Sequence, residues 1–230
     1  MTTIPGNLQH VRARIATACQ RAGRGVEEVT LLAVSKTFGA DAVRAAAAAG
    51  QRAFGENYIQ EGVEKIAALR DLGLMWHCIG PIQSNKTRLV AEHFDWVHTV
   101  DRLKIAERLS AQRPADLPPL NVCIQVNIDG GANKSGVAPG DALALARAVA
   151  ALPQLKLRGL MSIPEIAPDF EAARAVHASA KALFDQLNAD GLGLDTLSMG
   201  MSDDLEAAIA AGSTMVRIGT AIFGSRAPKP

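Results

Sequence analysis

Eight short runs rich in apolar and β-branched residues recur along the chain, each followed by a stretch of helical character. This alternation constrains the fold more than any other feature. The runs fall at residues 29–35, 52–55, 75–79, 96–100, 121–128, 156–161, 194–198 and 214–218. The first, Val29-Thr30-Leu31-Leu32-Ala33-Val34-Ser35, does not alternate with polar residues, which is the pattern of a strand covered on both faces in a parallel sheet. Between the runs, residues 39–49, 57–72, 85–93, 101–112, 141–152, 170–188 and 203–211 have helical composition or spacing, several of them stopped by a glycine such as Gly50, Gly73 or Gly212. Asp101 is positioned as the N-cap of its helix. With no composition shift or linker, the alternation predicts one domain over residues 1–230. Eight strand–helix repeats in 230 residues predict a (β/α)8 barrel of the TIM type. A doubly wound open sheet is the alternative. Only residues 221–230 follow the last strand, too few for a full outer helix. The amphipathic segment marked by Ile4, Leu8, Val11 and Ile15 is expected to fill that gap from the other end of the chain.

Hydrophobic residues make up 48 % of the chain and charged residues 20 %, enough apolar material for a large core. The net charge of +1 argues against a nucleic-acid surface, which would be more basic. The start, Met1-Thr2-Thr3-Ile4-Pro5, is no secretory signal, and no apolar run approaches the roughly 18 residues needed to span a bilayer. Cys19, Cys78 and Cys123 are odd in number and far apart, which suits reduced thiols in a cytoplasmic protein.

In a barrel, the residues that follow the strands converge on one mouth. Here they are Lys36, Glu56-Asn57, Gly80, Lys134 within a glycine-rich loop, Pro164, Gly200-Met201-Ser202 and Gly219-Thr220. A lysine at a strand end often only snorkels to solvent. The loops after strands 7 and 8, the usual phosphate site of a barrel, hold glycines and hydroxyls. Ser202 is expected to cap the following helix, and Gly219 to let backbone amides approach an anion. Asp203 and Asp204 in the same turn would repel a phosphate unless they point away. Arg217 stands inside an apolar strand and needs an acceptor, either an internal carboxylate or a ligand atom with a lone pair. A lysine, a phosphate cradle and an interior arginine at one mouth together suit pyridoxal 5'-phosphate (PLP). Its aldehyde condenses with a lysine and its phosphate provides an anchor.

These residues lie in longer segments with a family resemblance. Leu31-Leu32-Ala33-Val34-Ser35-Lys36-Thr37, Phe54-Gly55-Glu56-Asn57-Tyr58, His77-Cys78-Ile79-Gly80-Pro81-Ile82-Gln83-Ser84-Asn85-Lys86, Asn133-Lys134-Ser135-Gly136, Arg158-Gly159-Leu160-Met161-Ser162-Ile163-Pro164, Leu197-Ser198-Met199-Gly200-Met201-Ser202-Asp203-Asp204 and Val216-Arg217-Ile218-Gly219-Thr220 follow one another in order. Over nearly its whole length the chain resembles the pyridoxal-phosphate homeostasis proteins, small barrels similar to the N-terminal domain of alanine racemase. The resemblance implies that Lys36 carries PLP as an internal aldimine and that Arg217 faces the pyridine nitrogen. It implies further that Ser202, Gly219 and Thr220 hold the phosphate, and that Asn57 lies near the ring. The family often has a proline soon after its Schiff-base lysine, where this chain has Phe38-Gly39.

The resemblance also implies a monomer that buffers or carries the cofactor for apo PLP-dependent enzymes, without established turnover. The alternative is a minimal amino-acid racemase. Racemisation needs a base on each face of the imine. In alanine racemase the second base is a tyrosine from a separate domain, for which no counterpart is expected here, and the one tyrosine is Tyr58. An arginine at the pyridine nitrogen stays charged and weakens the electron sink. His10, His77, His93, His98 and His177 have no metal-ligand spacing with the cysteines and are expected at the surface or in packing roles, with His77 closest to a mouth loop. No dinucleotide fingerprint or P-loop is present.

Overall fold

The structure, a computed structural model, describes residues 3–131 and 135–225. Eight parallel strands close into a barrel in sequence order: β1 (Thr30–Val34), β2 (Ala53–Glu56), β3 (Met75–Cys78), β4 (Trp96–Val100), β5 (Leu120–Gln125), β6 (Leu155–Met161), β7 (Thr196–Ser198) and β8 (Met215–Ile218). Closure comes from β1 against β8, with Leu32 opposite Arg217 and Ala33 opposite Ile218. The outer ring is α2 (Ala40–Ala48), α3 (Ile59–Ala68), α4 (Thr87–His93), α5 (Leu103–Gln112), α6 (Ala142–Ala150), α7 (Phe170–Ala189) and α8 (Leu205–Ala210). The fold is the expected barrel and not an open sheet.

The gap after β8 is filled as the sequence predicts. Among the described residues only the short α9 (Thr220–Phe223) follows that strand, and α1 (Ile4–Arg21) lies against it, with Asn7 Nδ2 donating to the Ile222 carbonyl at 2.9 Å. From the same helix Arg14 reaches Glu206 on α8 at 2.8 Å, and Arg12 donates to the Ala49 carbonyl behind α2 at 3.0 Å. The buried face of α1 is Leu8, Val11, Ile15, Ala18 and Cys19, at the helical spacing read from the sequence.

Strand alternation sorts the core into two parts. Residues facing outward from the barrel, such as Ala33, Phe54, Trp76 and Val97, join the helices in one large apolar layer. The inward-facing residues form two small clusters, Leu32, Val34, Ile79 and Met215, and Trp96, Cys123 and Met161. All three cysteines are buried free thiols, and burial pushes Cys78 and Cys123 up to about 12. Arg158 closes the end of the barrel opposite the mouth, 4.5 Å from the Trp96 ring centroid and bonded to Asp195.

Two local readings change. The helix expected from Asp101 begins at Leu103 with Arg102 as its cap, because the Asp101 carboxylate accepts from the Gly136 N–H at 3.3 Å and is drawn to the loop after β5. The fifth strand ends at Gln125, three residues before its apolar pattern does, and Val126 keeps only an isolated bridge to Val137. Among the described residues, no helix is long and apolar enough to cross a membrane.

Candidate functional site

Lys36 lies half-buried in the turn just past β1. Asn57 is the first residue past β2, and Arg217 faces inward beside Leu32. Lys36 stands two residues past the end of β1, and Arg217 pairs with Leu32 within the sheet. Lys36 and Asn57 thus follow the carboxyl ends of β1 and β2, while Arg217 lies within β8. Lys134, singled out in the loop after β5, lies outside the described residues.

Arg217 is buried, with Nη1 donating to the Ser198 hydroxyl at 2.7 Å and Nη2 to the Ser162 carbonyl at 2.9 Å. Its partners are thus neutral groups and not the internal carboxylate that was one alternative. Burial lowers its pKa to about 10, against the opposing pull of Asp204, so it remains a cation at neutral pH. Ser198 Oγ also meets His98 Nδ1 at 2.9 Å, and His98 Nε2 meets His77 Nδ1 at 2.8 Å. Arginine only donates, so Ser198 accepts from it and keeps its own hydrogen for His98. Burial pushes His77 down to about 3 and His98 well below its ordinary range, so both rings are neutral. His77 stacks on Trp96 with ring centroids 5.1 Å apart. Three of the histidines read as surface or packing residues, His77, His98 and His177, are buried.

The loops after β7 and β8 meet at the mouth, where the Thr220 hydroxyl lies 3.5 Å from that of Ser202. Ser202 is not the helix cap expected for it. Asp204 occupies that position, and Ser202 sits in the turn before it. The Asp204 carboxylate is turned away from the hydroxyls: one oxygen accepts from the Met201 N–H at 2.7 Å and the other meets His177 Nε2 at 2.8 Å. Burial works to raise Asp204, but these hydrogen bonds hold it below the ordinary carboxylate range. Asp203 is exposed. Arg14 donates to the Ser202 carbonyl at 3.0 Å and so fixes the loop from behind. At Gly219 a Cβ would lie 3.2 Å from the Val34 carbonyl oxygen, a close approach of two backbones beside the hydroxyl pair.

Two buried oxygens in the loops past β2 and β6, Asn57 Oδ1 and Ser162 Oγ, lack hydrogen-bond partners among the described residues. Buried polar atoms are normally satisfied, so these orphans mark room for a polar ligand. Gly80 keeps Asn57 in place, since a Cβ there would come within 2.0 Å of the Asn57 carbonyl oxygen. A depression of about 540 Å³ lies beside the mouth, lined by Gln125, Ser135, Ile163 and Pro164 among others. Strand-end amine, fixed guanidinium, orphaned oxygens and a hydroxyl pair together suit a flat heteroaromatic ligand with an aldehyde at one edge and a phosphate.

Residues 6–227 match the family model described as alanine racemase, N-terminal domain. The chain is 64 % identical over 226 residues, 98 % of its own length and 97 % of the relative's, to the pyridoxal phosphate homeostasis protein of Pseudomonas aeruginosa. This chain belongs to the pyridoxal phosphate homeostasis protein family. PipY of Synechococcus elongatus is 39 % identical, with a TM-score of 0.85 over 96 % of this chain and 100 % of that one. PipY has also been solved with PLP bound, a structure that matches at a TM-score of 0.80 over 91 % of this chain and 100 % of that one. Alanine racemase of Corynebacterium glutamicum shares the fold at 20 % identity and a TM-score of 0.67, over 94 % of this chain and 60 % of its own.

Sequence reasoning missed Ser198, Ser162 and His98 as supports of Arg217. A usable signal existed: His98 and Ser198 are polar residues at inward positions of otherwise apolar strands.

Proposed function

We propose that this protein binds pyridoxal 5'-phosphate reversibly in the cytoplasm and takes part in its homeostasis, as a buffer or carrier, without turning over amino acids. The observation that supports the reading is a lumen whose buried Arg217 bonds only neutral acceptors among the described residues, with Lys36 in the turn past β1 at its mouth. When bound, the cofactor supplies an aldehyde that a primary amine captures as an imine. Lys36 is the amine. Arg217 remains a donor at the ring nitrogen, and because it stays cationic it leaves that nitrogen unprotonated. Asn57 offers its orphaned Oδ1 near the ring. Ser202, Thr220 and the backbone at Gly219 take the phosphate.

The single barrel over residues 1–230 then works as a monomer, with small-molecule cofactor and apo PLP-dependent enzymes as its partners and neither nucleic acid nor membrane involved. Among the described residues the buried, neutral His77 and His98 are bonded to each other, which argues against either serving as a second base opposite Lys36. The test incubates PLP-loaded protein with L- and D-alanine, serine and lysine in deuterated water, and separately with an apo PLP enzyme. Activation of the apo-enzyme without α-proton exchange is the expected result. Rapid exchange with inversion would make the protein a minimal racemase instead.

A further inference from the structure

We propose that Lys65 and Glu61 on α3 are positioning residues for Lys36, holding the strained turn that presents its amine; this rests on the reading of Lys36 as the imine-forming lysine. Lys65 is 6 % exposed, and its ammonium meets three acceptors: the Ser35 carbonyl at 2.8 Å, Glu56 Oε1 at 2.8 Å and Glu61 Oε1 at 2.6 Å. Three acceptors match the three N–H bonds of an ammonium. The same Glu61 oxygen accepts from the Thr37 N–H at 2.7 Å. The peptide groups on both sides of Lys36 are therefore tied to one ion cluster, one through its carbonyl and the other through its N–H. Glu56 anchors the cluster to β2 and takes the Ser35 hydroxyl at 2.5 Å.

The tie has something to hold. The Phe38 N–H donates to the Ser35 carbonyl at 3.1 Å, closing a four-residue turn with Lys36 second and Thr37 third. Thr37 has φ +69°, alone among described non-glycine residues in being positive. A positive φ at the third position is the mark of a type II turn, which ordinarily takes glycine or asparagine there. A β-branched residue at that angle persists only when its surroundings over-determine it. Released from Glu61, Thr37 would relax and swing the backbone that carries Lys36. Imine formation depends on that backbone. The neutral amine nitrogen adds to the aldehyde carbon, a C=N bond replaces C=O, and the oxygen leaves as water with both amine hydrogens.

The experiment compares wild type with Glu61→Ala and Glu61→Gln, using two probes. PLP reports imine formation by its absorption above 400 nm (a general property of such imines), and 4-deoxypyridoxine 5'-phosphate, which has no aldehyde, reports non-covalent binding alone. Glu61→Ala is expected to slow imine formation at least about tenfold while analogue affinity stays within about twofold. Glu61→Gln, whose amide oxygen still accepts from Thr37, is expected to retain a rate within about threefold of wild type. A wild-type rate in Glu61→Ala, or parallel loss of imine and analogue binding, would overturn the proposal. If Glu61→Ala does not fold, Lys65→Arg keeps the buried charge but not the three-way geometry. The same slowed rate with intact analogue binding supports the proposal there, and an unchanged rate sinks it. A wild-type protein that forms no borohydride-trapped adduct on Lys36 shows instead that the underlying reading is wrong, before any variant is compared.

Discussion

Arg217 gives its Nη1 hydrogen to the Ser198 hydroxyl at 2.7 Å, and no described carboxylate lies within salt-bridge distance of its guanidinium. A buried cation held only by a hydroxyl and a carbonyl is costly unless the rest of its hydrogen-bonding capacity has a use. Ser198→Ala removes the hydroxyl that both Arg217 and His98 Nδ1 meet. Leaving buried groups unsatisfied costs about 1–3 kcal/mol, so urea unfolding should show a loss of that order. An unchanged midpoint would mean that water replaces the hydroxyl without loss.

Lys36→Ala tests the covalent link. The lysine lies in a turn beyond β1 and is only partly buried, so its loss should leave the fold intact and abolish the imine band. Borohydride reduction of loaded wild type followed by mass spectrometry should place the added mass on Lys36. Finding it only on Lys134 or Lys86 would remove Lys36 from its assigned role.

The barrel was legible because its strands recur as short runs rich in apolar and β-branched residues, each followed by a helical stretch and several of those stopped by a glycine. Trp96-Val97-His98-Thr99-Val100 was even bounded correctly. Lys36 and Asn57 were legible as residues that follow strand ends, and Arg217 as a polar residue within an apolar strand, once the strands are placed. What sequence could not supply was contact across the barrel. Ser198 meets His98 over a separation of 100 residues, and nothing local to either residue encodes that meeting. The Ser202 cap failed for a related reason. The helix starts two residues later, at Leu205, with Asp204 at the cap position and its carboxylate fixed by the Met201 N–H and a buried histidine on α7.

Gly80→Ala should damage both stability and cofactor retention. The added Cβ would sit 2.0 Å from the Asn57 carbonyl oxygen, so the ends of β2 and β3 must part and carry Asn57 with them. Overpacking of this kind costs about 1–3 kcal/mol. Thermal melting of the unloaded protein reads the first effect and PLP titration the second. A variant that melts and titrates like wild type would show that the backbone at Asn57 has no fixed place.

Acid should destabilise the barrel through its lumen histidines. His77 is held down to about 3 by burial, and His98 well below its usual value, whereas both rings in the unfolded chain take protons near 6.5. Between those limits the unfolded state binds more protons. Stability is therefore full above about pH 7 and falls as pH drops, by about 1.4 kcal/mol per pH unit for each histidine. His77→Phe keeps an aromatic ring against Trp96 and should reduce the slope of unfolding free energy between pH 6 and 4 by about one proton. A slope identical to wild type would show that His77 is protonated as readily folded as unfolded.

The anion site separates cleanly from helix stability because Ser202 caps nothing. Asp204 holds the start of α8 and Arg14 holds the Ser202 backbone, so Ser202→Ala should leave the unloaded protein within about 0.5 kcal/mol of wild type, the ordinary range for a surface change. Its hydroxyl lies beside that of Thr220. Hydrogen bonds to a charged group are worth about 1.5–3 kcal/mol, which at about 1.4 kcal/mol per decade makes the expected loss of PLP affinity roughly tenfold or more. Asp203→Asn removes a carboxylate that is exposed and should leave affinity unchanged or slightly higher. Pyridoxal, which lacks the phosphate, provides the internal control: its weaker binding should be the same in wild type and Ser202→Ala. Equal losses for PLP and pyridoxal would place Ser202 away from the phosphate, and an unchanged PLP affinity would leave its hydroxyl without a part in binding.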